Sequence, residues 1–247
     1  MSGHSKWSTI KRKKEAIDKR KSKVWARCSK DLTIAAREGG GAHEMSPRLA
    51  LAVEKAKREN MPKDNIERAI KRGTGEIQGE DFEEMTYEGY ACGGIAVFVE
   101  TLTDNTNRTV ADLRHLFSKA GGSLGKTGSV AYLFERKGIF QVPADDNDEL
   151  QLFEIVAEAG AEDLQRDDNT FVITVPVEQF DAVQTALQDA GIETSESNLV
   201  RIPTTLLQLP DDEAQKVVKL VDQLEEYQDV QAVYTTLEMD GQTVAAY

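Results

Sequence analysis

The sequence predicts an α+β protein of three domains: an N-terminal three-helix domain, a discontinuous α/β middle domain and a ferredoxin-like domain inserted into it. Three observations lead to this prediction. The first part of the chain carries apolar side chains at helical spacing, a later unit reads β-α-β-β-α-β, and the segments on either side of that unit each hold too few strands for a complete sheet. The predicted domains are residues 1–76, residues 77–136 with 203–247, and residues 137–202.

Three helices are predicted in the N-terminal domain. The first covers residues 11–38, and a run of three glycines ends it because glycine accepts the left-handed conformation of a helix end. Ser46-Pro47 opens the second helix, and the third lies between Pro62 and Gly73. The side chains expected on the buried faces are Val24, Trp25, Cys28, Leu32, Ala35, Leu49, Ala52, Val53, Ala56, Ile66, Ala69 and Ile70.

The middle domain is expected to form one five-stranded sheet with two helices. Its predicted strands are residues 85–92, 94–103, 129–135, 204–209 and 230–238. Asn107 is expected to cap the first helix, and Pro210 to open the second.

The inserted domain has the order of elements of a ferredoxin-like fold. Its predicted strands are residues 138–142, 162–166, 170–175 and 192–202, and its predicted helices are residues 148–159 and 178–190. The middle two strands should form a hairpin that turns at Asp168-Asn169.

Charge is distributed very unevenly along the chain. The formal net charge is −13, which taken alone argues against a polyanionic partner. However, residues 1–75 hold 20 basic and 9 acidic side chains, a net charge of +11, whereas residues 76–247 carry −24. Such an asymmetry points to a polyanion that binds the N-terminal part.

The basic residues near the N-terminus are the strongest candidates for nucleic-acid contact. Residues 11–23 contain eight Lys or Arg, and only Glu15 and Asp18 interrupt them, so an ordinary solvated helix face is the weaker explanation. Trp7 is suited either to stacking on a base or to packing on the first helix. The residues predicted to contact nucleic acid are Lys6, Trp7, Lys11, Arg12, Lys13, Lys14, Lys19, Arg20, Lys21, Lys23, Arg68, Lys71 and Arg72.

A second set of polar residues could form a partner surface. Asp104, Asn105 and Arg108 exceed what a helix cap needs. Lys126 lies near the end of a segment, Ala120–Thr127, whose sequence is close to the P-loop pattern. A P-loop follows a strand and opens a helix, and here the predicted order is the reverse. We therefore expect no ATP or GTP site, although Lys126 could touch a phosphate backbone.

Several functional classes find no support in the residues. No apolar run reaches the roughly 18 residues of a membrane helix, so no membrane partner is expected. Neither the three histidines nor Cys28 and Cys92 show the spacing of a metal site, and we expect two free thiols, no metal and no cofactor. No catalytic set of residues emerges, so the protein is not expected to be an enzyme.

Five separated blocks of sequence resemble the YebC family, which is related to the mitochondrial translational activator of cytochrome oxidase subunit I. The blocks are Ser2–Trp7, Asn60–Gly75, Tyr87–Tyr90, Leu102–Asn105 with Asn107–Thr109, and Gly128–Tyr132, and the resemblance covers nearly the whole chain. It implies three domains and a cytoplasmic regulator of the kind described as a probable transcriptional regulatory protein that binds DNA. Because the first block begins at Ser2, a bacterial cytoplasmic setting is expected rather than a mitochondrial one.

Two functions follow from the resemblance and the basic region. The first is a DNA-binding regulator of transcription. The alternative is a factor that associates with RNA or the ribosome and assists translation through difficult sequences such as proline runs. The basic residues fit both equally, because phosphate contact does not depend on base sequence. No clear helix-turn-helix motif is present, and the oligomeric state stays open.

Overall fold

The computed structural model describes residues 21–40, 46–79, 81–145 and 147–238. The helices are α1 (Lys21–Gly39), α2 (Pro47–Arg58), α3 (Lys63–Gly73), α4 (Thr106–Lys119), α5 (Glu149–Glu158), α6 (Phe180–Asp189) and α7 (Asp211–Glu226). The strands are β1 (Glu83–Tyr90), β2 (Ala96–Thr103), β3 (Ser123–Leu124), β4 (Phe134–Pro143), β5 (Asp163–Asp167), β6 (Thr170–Pro176), β7 (Glu196–Pro203) and β8 (Val230–Thr235).

These elements form two compact units. One contains the described residues up to Ala131 together with Leu209–Leu237, and the other contains Tyr132–Gln208. The predicted α+β class is confirmed, with helices at the N-terminus and two antiparallel sheets. The three-domain boundaries stay a prediction. The predicted boundary after residue 136 lies inside β4, so the predicted domain begins five residues after Tyr132, where the second unit begins.

The first three helices enclose a small apolar core, as the helical periodicity predicts. Ser46 caps α2 by accepting a hydrogen bond from the backbone N–H of Leu49, and Pro47 occupies its first turn. The buried members of this core are Cys28, Leu32, Ala35, Ala36, Leu49, Ala52, Val53, Ala56, Met61, Ile66 and Ala69, with Val24, Trp25 and Ile70 packed against them.

Gly73 does more than end α3. A Cβ atom at this position would lie 2.2 Å from the carbonyl oxygen of Thr33 and 2.8 Å from the side chain of Ala36. Helix α3 therefore crosses α1 at a separation that only glycine permits. The hydroxyl of Thr33 also donates a hydrogen bond to the carbonyl oxygen of Ala69, 3.2 Å away, at this crossing.

The sheet of the first unit has four strands among the described residues, in the order β3-β1-β2-β8, and all neighbours are antiparallel. The prediction of five strands is wrong. The described residues 204–209 contain no strand, and residues 131–133 form a single 3₁₀ turn instead of part of a third strand. Helices α4 and α7 pack against this sheet and against each other.

The second unit has the predicted β-α-β-β-α-β order, with strands arranged β5-β6-β4-β7 and every pair antiparallel. This arrangement confirms the ferredoxin-like topology. Strand β4 is longer than predicted because it begins at Phe134 and runs unbroken to Pro143. Between the sheet and the helices, the rings of Phe140 and Phe180 stack with centroids 4.5 Å apart.

No helix in the described part of the chain is long and apolar enough to cross a membrane.

Candidate nucleic-acid interface

Arg68, Lys71 and Arg72 lie on the exposed face of α3, opposite the buried Ile66 and Ala69. Their i, i+3 and i+4 spacing brings the three cations together on one face. None of them forms a salt bridge with another residue that the structure describes. Lys71 and Arg72 also occupy the last turn of α3, where positive charge favours the helix dipole. The dipole does not account for Arg68, which lies one turn earlier.

The other predicted phosphate contacts divide into two groups. Lys6, Trp7, Lys11, Arg12, Lys13, Lys14, Lys19 and Arg20 lie outside the described residues. Lys21 is the first residue of α1. Lys23 is exposed, and its ammonium group lies 3.5 Å from the backbone carbonyl oxygen of Glu226. The Arg27 guanidinium donates to the carbonyl of Glu225, so both side chains meet the C-terminal end of α7.

A buried ion pair that the sequence does not reveal joins α1 to the sheet. The Lys30 ammonium donates to one carboxylate oxygen of Asp229 at 2.7 Å and to the carbonyl oxygen of Leu102 at 3.1 Å. Lys30 and Asp229 are only 7% and 2% exposed. The second carboxylate oxygen of Asp229 accepts from Thr103 at 3.1 Å, from Thr109 at 2.9 Å and from Arg108 at 2.8 Å. The partners of this buried carboxylate therefore come from α1, from the end of β2 and from α4.

The charge of Asp229 is kept in spite of its burial. Burial raises the pKa of the carboxyl group, but hydrogen bonds from Lys30, Arg108 and Thr109 outweigh it and lower the pKa below its usual value. The same contacts with Asp229 and Asp104 raise the pKa of Arg108. These groups form a charge network inside the unit, which links α1 and α4 to the sheet.

The predicted partner residues Asp104, Asn105 and Arg108 make intramolecular contacts. Asn105, rather than the predicted Asn107, caps α4, because its side-chain oxygen accepts the backbone N–H of Arg108 at 3.0 Å. The Arg108 guanidinium lies 2.7 Å from Asp104 and 2.8 Å from Asp229. The prediction of a partner surface here stays untested, and the three side chains already have roles in the cap and the charge network.

The glycine-rich segment that resembles a P-loop, Ala120–Thr127, follows α4 directly and contains the edge strand β3, so a helix precedes it. The loop that follows does surround an anion, but the anion is the protein's own. The carboxylate of Glu88, 3% exposed, accepts the backbone N–H groups of Gly128, Val130 and Ala131 at 2.7–2.8 Å. Lys126 is exposed in this loop. Since Glu88 occupies the backbone donors, they have no capacity left for a nucleotide phosphate.

Comparison with known proteins identifies the family. A family model described as the TACO1/YebC protein N-terminal domain matches residues 5–76, and one described as the TACO1/YebC second and third domain matches residues 82–237. The chain belongs to the TACO1/YebC family. The match to the N-terminal domain coincides with the basic part of the chain, and the second match coincides with the acidic part.

Relatives resemble the TACO1/YebC chain over its full length. A protein of Salinibacter ruber named "Probable transcriptional regulatory protein" is 53% identical over 99% of this chain and 96% of its own length. One of the same name from Rubrobacter xylanophilus is 51% identical over 99% and 98%. The crystal structure of a conserved hypothetical protein from Aquifex aeolicus has a TM-score of 0.83 and 44% identity, and the match covers 90% of this chain and 92% of that one.

Within the described residues, no group of three or more His, Cys, Asp or Glu side chains is arranged to hold a metal ion. Cys28 and Cys92 are free thiols. Burial raises the pKa of the Cys28 thiol to about 11. Cys28 therefore belongs to the helical core rather than to a reactive site.

Proposed function

We propose that this TACO1/YebC protein is a regulator of gene expression that binds nucleic acid through its basic N-terminal domain and has no catalytic activity. One observation carries the proposal. Arg68, Lys71 and Arg72 form an exposed cationic face on a helix held by an apolar core, without a salt-bridge partner among the described residues. The names of the relatives support a regulatory role at the level of transcription.

Two arginines of the same domain differ from the cationic face, because each has partners within the protein. Arg48 pairs with Glu38 and Glu84, and Arg58 pairs with Glu54, so these cations are neutralised within the protein. Unpaired cations on one face favour a partner with regularly spaced negative charge, and the phosphodiester backbone provides it. The same domain contains the basic run of residues 11–23.

The acidic remainder of the chain gives the interaction a direction. Residues 76–247 carry a net charge of −24, which phosphates repel, whereas the first 75 residues attract them. A phosphate backbone should therefore approach the N-terminal domain first. This steering would act on the association rate and weaken as salt screens it.

Fluorescence anisotropy with a short duplex DNA and an RNA hairpin tests the cationic face. We expect Arg68→Gln/Arg72→Gln to weaken binding and to reduce the slope of log K against log salt by about 2. Lys216→Gln/Lys219→Gln is the matched control, because it removes two exposed helical cations from the acidic part of the chain. Equal affinities of the two double variants would rule out the cationic face.

The level of regulation is tested separately by sedimentation of cell lysate on sucrose gradients. For a regulator of transcription, we expect the protein to be absent from ribosomal fractions and to be recovered on promoter DNA. Co-migration with ribosomal particles that survives DNase would instead support the translational alternative. Both outcomes are compatible with phosphate binding. They decide whether the protein binds DNA or ribosomal particles in the cell.

A further inference from the structure

The outer face of α4 stands out within the acidic part of the chain. Residues 76–247 contain 10 Lys or Arg and 34 Asp or Glu. Four of those basic residues, and only one acidic residue, fall within residues 105–134. A segment of positive charge is thus embedded in a strongly negative region. Chance placement of ordinary solubilising charges would have interleaved acids with these cations.

Internal contacts account for two of the five charges in this segment. Arg108 is bound to Asp104 and Asp229, and the Asp112 carboxylate accepts the hydroxyl of Tyr227 at 2.6 Å. The remaining cations are Arg114, Lys119 and Lys126. All three are exposed, and none forms a salt bridge with another described residue.

The side chains of Arg114, Lys119 and Lys126 are exposed to solvent. Thr109, Leu113 and Phe117 are the buried side of α4. Arg114 and Lys119 are exposed, but they are five residues apart, about 140° around the helix, and so lie on the two flanks of its exposed side. The loop that carries Lys126 follows the edge strand β3, to which α4 is joined by a short turn. Lys119 in the last turn suits the helix dipole, but Arg114 in the middle of the helix has no such explanation.

Helix α7 in the same unit shows what an ordinary charged face looks like. Its exposed lysines Lys216 and Lys219 share the helix with Asp211, Asp212 and Glu213, and Lys216 lies 4.0 Å from Asp212. Alternating charge of this kind is solvated and needs no partner. Helix α4 contains a single acidic residue, Asp112, which is bound to Tyr227, and this is the difference between the two helices.

We propose that the outer face of α4, with Arg114 and Lys119 on its two flanks and Lys126 in the loop that follows β3, is a second phosphate-contact surface. This inference rests on the proposed function, because it assigns a further part of the protein to the same phosphodiester backbone. Contact is by side chains alone, since the backbone N–H groups of Gly128, Val130 and Ala131 are bound to Glu88. The surface presents separate positive charges to the phosphates of a nucleic-acid strand, and it is not a pocket that encloses a nucleotide.

The test compares two double variants that remove the same charge. Arg114→Gln/Lys119→Gln is measured beside Lys216→Gln/Lys219→Gln, by anisotropy against a short duplex DNA and against an RNA hairpin over a range of salt concentrations. We expect the slope of log K against log salt to fall by about 2 for the α4 variant and by nearly nothing for the α7 variant. The nucleic acid that shows the larger change is the one that the surface contacts.

A rescue variant separates lost charge from lost structure. Arg114→Lys/Lys119→Arg keeps both charges and should retain wild-type binding, and melting temperatures should agree among all variants. Equal slopes for the α4 and α7 variants would overturn the second surface while Arg68→Gln/Arg72→Gln still tests the first. Failure of the wild-type protein to bind either nucleic acid would overturn the proposed function and this surface together.

Discussion

The buried carboxylate of Asp229 is the residue on which the charge network of the first unit depends. Four side chains donate to it, and two of them, Lys30 and Arg108, are cations from different helices. A buried ion pair gives little net stability when intact, but removal of one partner leaves a charge without compensation. Because an unpaired buried charge is costly, the Lys30–Asp229 pair favours the one arrangement of α1 on the sheet in which both charges are paired.

Replacing Lys30 by methionine should therefore lower the free energy of unfolding by about 3 kcal/mol, measured by urea denaturation at neutral pH. Lys63→Met is the control, because Lys63 is exposed and lies 3.7 Å from Glu67 in a surface pair. That variant should stay within about 0.5 kcal/mol of the wild type. Equal losses for the two variants would contradict the proposed role of Lys30.

The pH dependence of stability should carry the same signature. Because the pKa of Asp229 is lowered in the folded protein, its contribution is present above the unfolded value of 3.8 and is lost as the pH falls through the folded value. Urea denaturation at a series of acidic pH values should show this loss in the wild type and a smaller one in Lys30→Met. Identical profiles would contradict the assignment.

Cys28 should be inert in the folded protein. Its side chain is buried in the helical core, and burial raises its pKa to about 11, so little thiolate exists near neutral pH. We expect iodoacetamide at about pH 8 to modify the partly exposed Cys92 first and to reach Cys28 only with denaturant, as measured by mass spectrometry. Modification of both thiols at the same rate would contradict the placement of Cys28.

Among the elements, the helices were predictable and the short strands were not. The buried faces of α1, α2 and α3 follow from apolar spacing, because each helix of a bundle buries one stripe of its side chains. The ferredoxin-like order was also readable, since its strands are long and its turn at Asp168-Asn169 is marked by turn residues. Residues 204–209 have the composition of a strand, but only Leu207 forms a backbone bridge, and composition does not show how far pairing extends.

Polar contacts between distant segments were the second gap in the prediction. Asn105 and Asn107 are equally good caps by residue type, and only the backbone decides between them. Lys30 resembles every other lysine in a basic helix until Asp229, 199 residues later, is placed beside it. Glu88 likewise acquires its role only when the loop after β3 closes around it.

The loop that follows β3 should depend on the carboxylate of Glu88. Glu88→Gln replaces one acceptor oxygen by an amide group that meets backbone donors, and we expect stability to fall by about 2 kcal/mol. Hydrogen exchange should become faster at the amides of Gly128, Val130 and Ala131. Glu83→Gln, on the exposed end of β1, is the control and should change neither quantity. Unchanged exchange in Glu88→Gln would contradict the account of the loop.

On the scale of the whole molecule, the net charge of −13 conceals a division between a basic N-terminal part and an acidic remainder. The division follows the two parts that the family models match, residues 5–76 and 82–237. The net charge of the whole chain argues against a nucleic-acid partner, whereas the distribution of charge along the chain favours one. The basic cluster at Lys11–Lys14 lies outside the described residues, so its role stays a prediction.

Neutralising Lys11, Arg12, Lys13 and Lys14 by substitution with glutamine should abolish nucleic-acid binding in a mobility-shift assay at moderate salt. The fold should survive, because the described cores of both units lie elsewhere in the chain. Circular dichroism and the melting temperature provide the control for folding. Unchanged affinity would contradict the prediction and restrict the interface to the face formed by Arg68, Lys71 and Arg72.

The salt dependence of binding by the wild-type protein tests the central claim most directly. If about six cations neutralise phosphates, log K for duplex DNA should fall against log salt with a slope near −5. Such a slope in a protein of net charge −13 would require that a local basic surface, and not the overall charge, governs the interaction. No binding at low salt, or affinity that does not change with salt, would contradict the assignment of the N-terminal domain as a nucleic-acid interface.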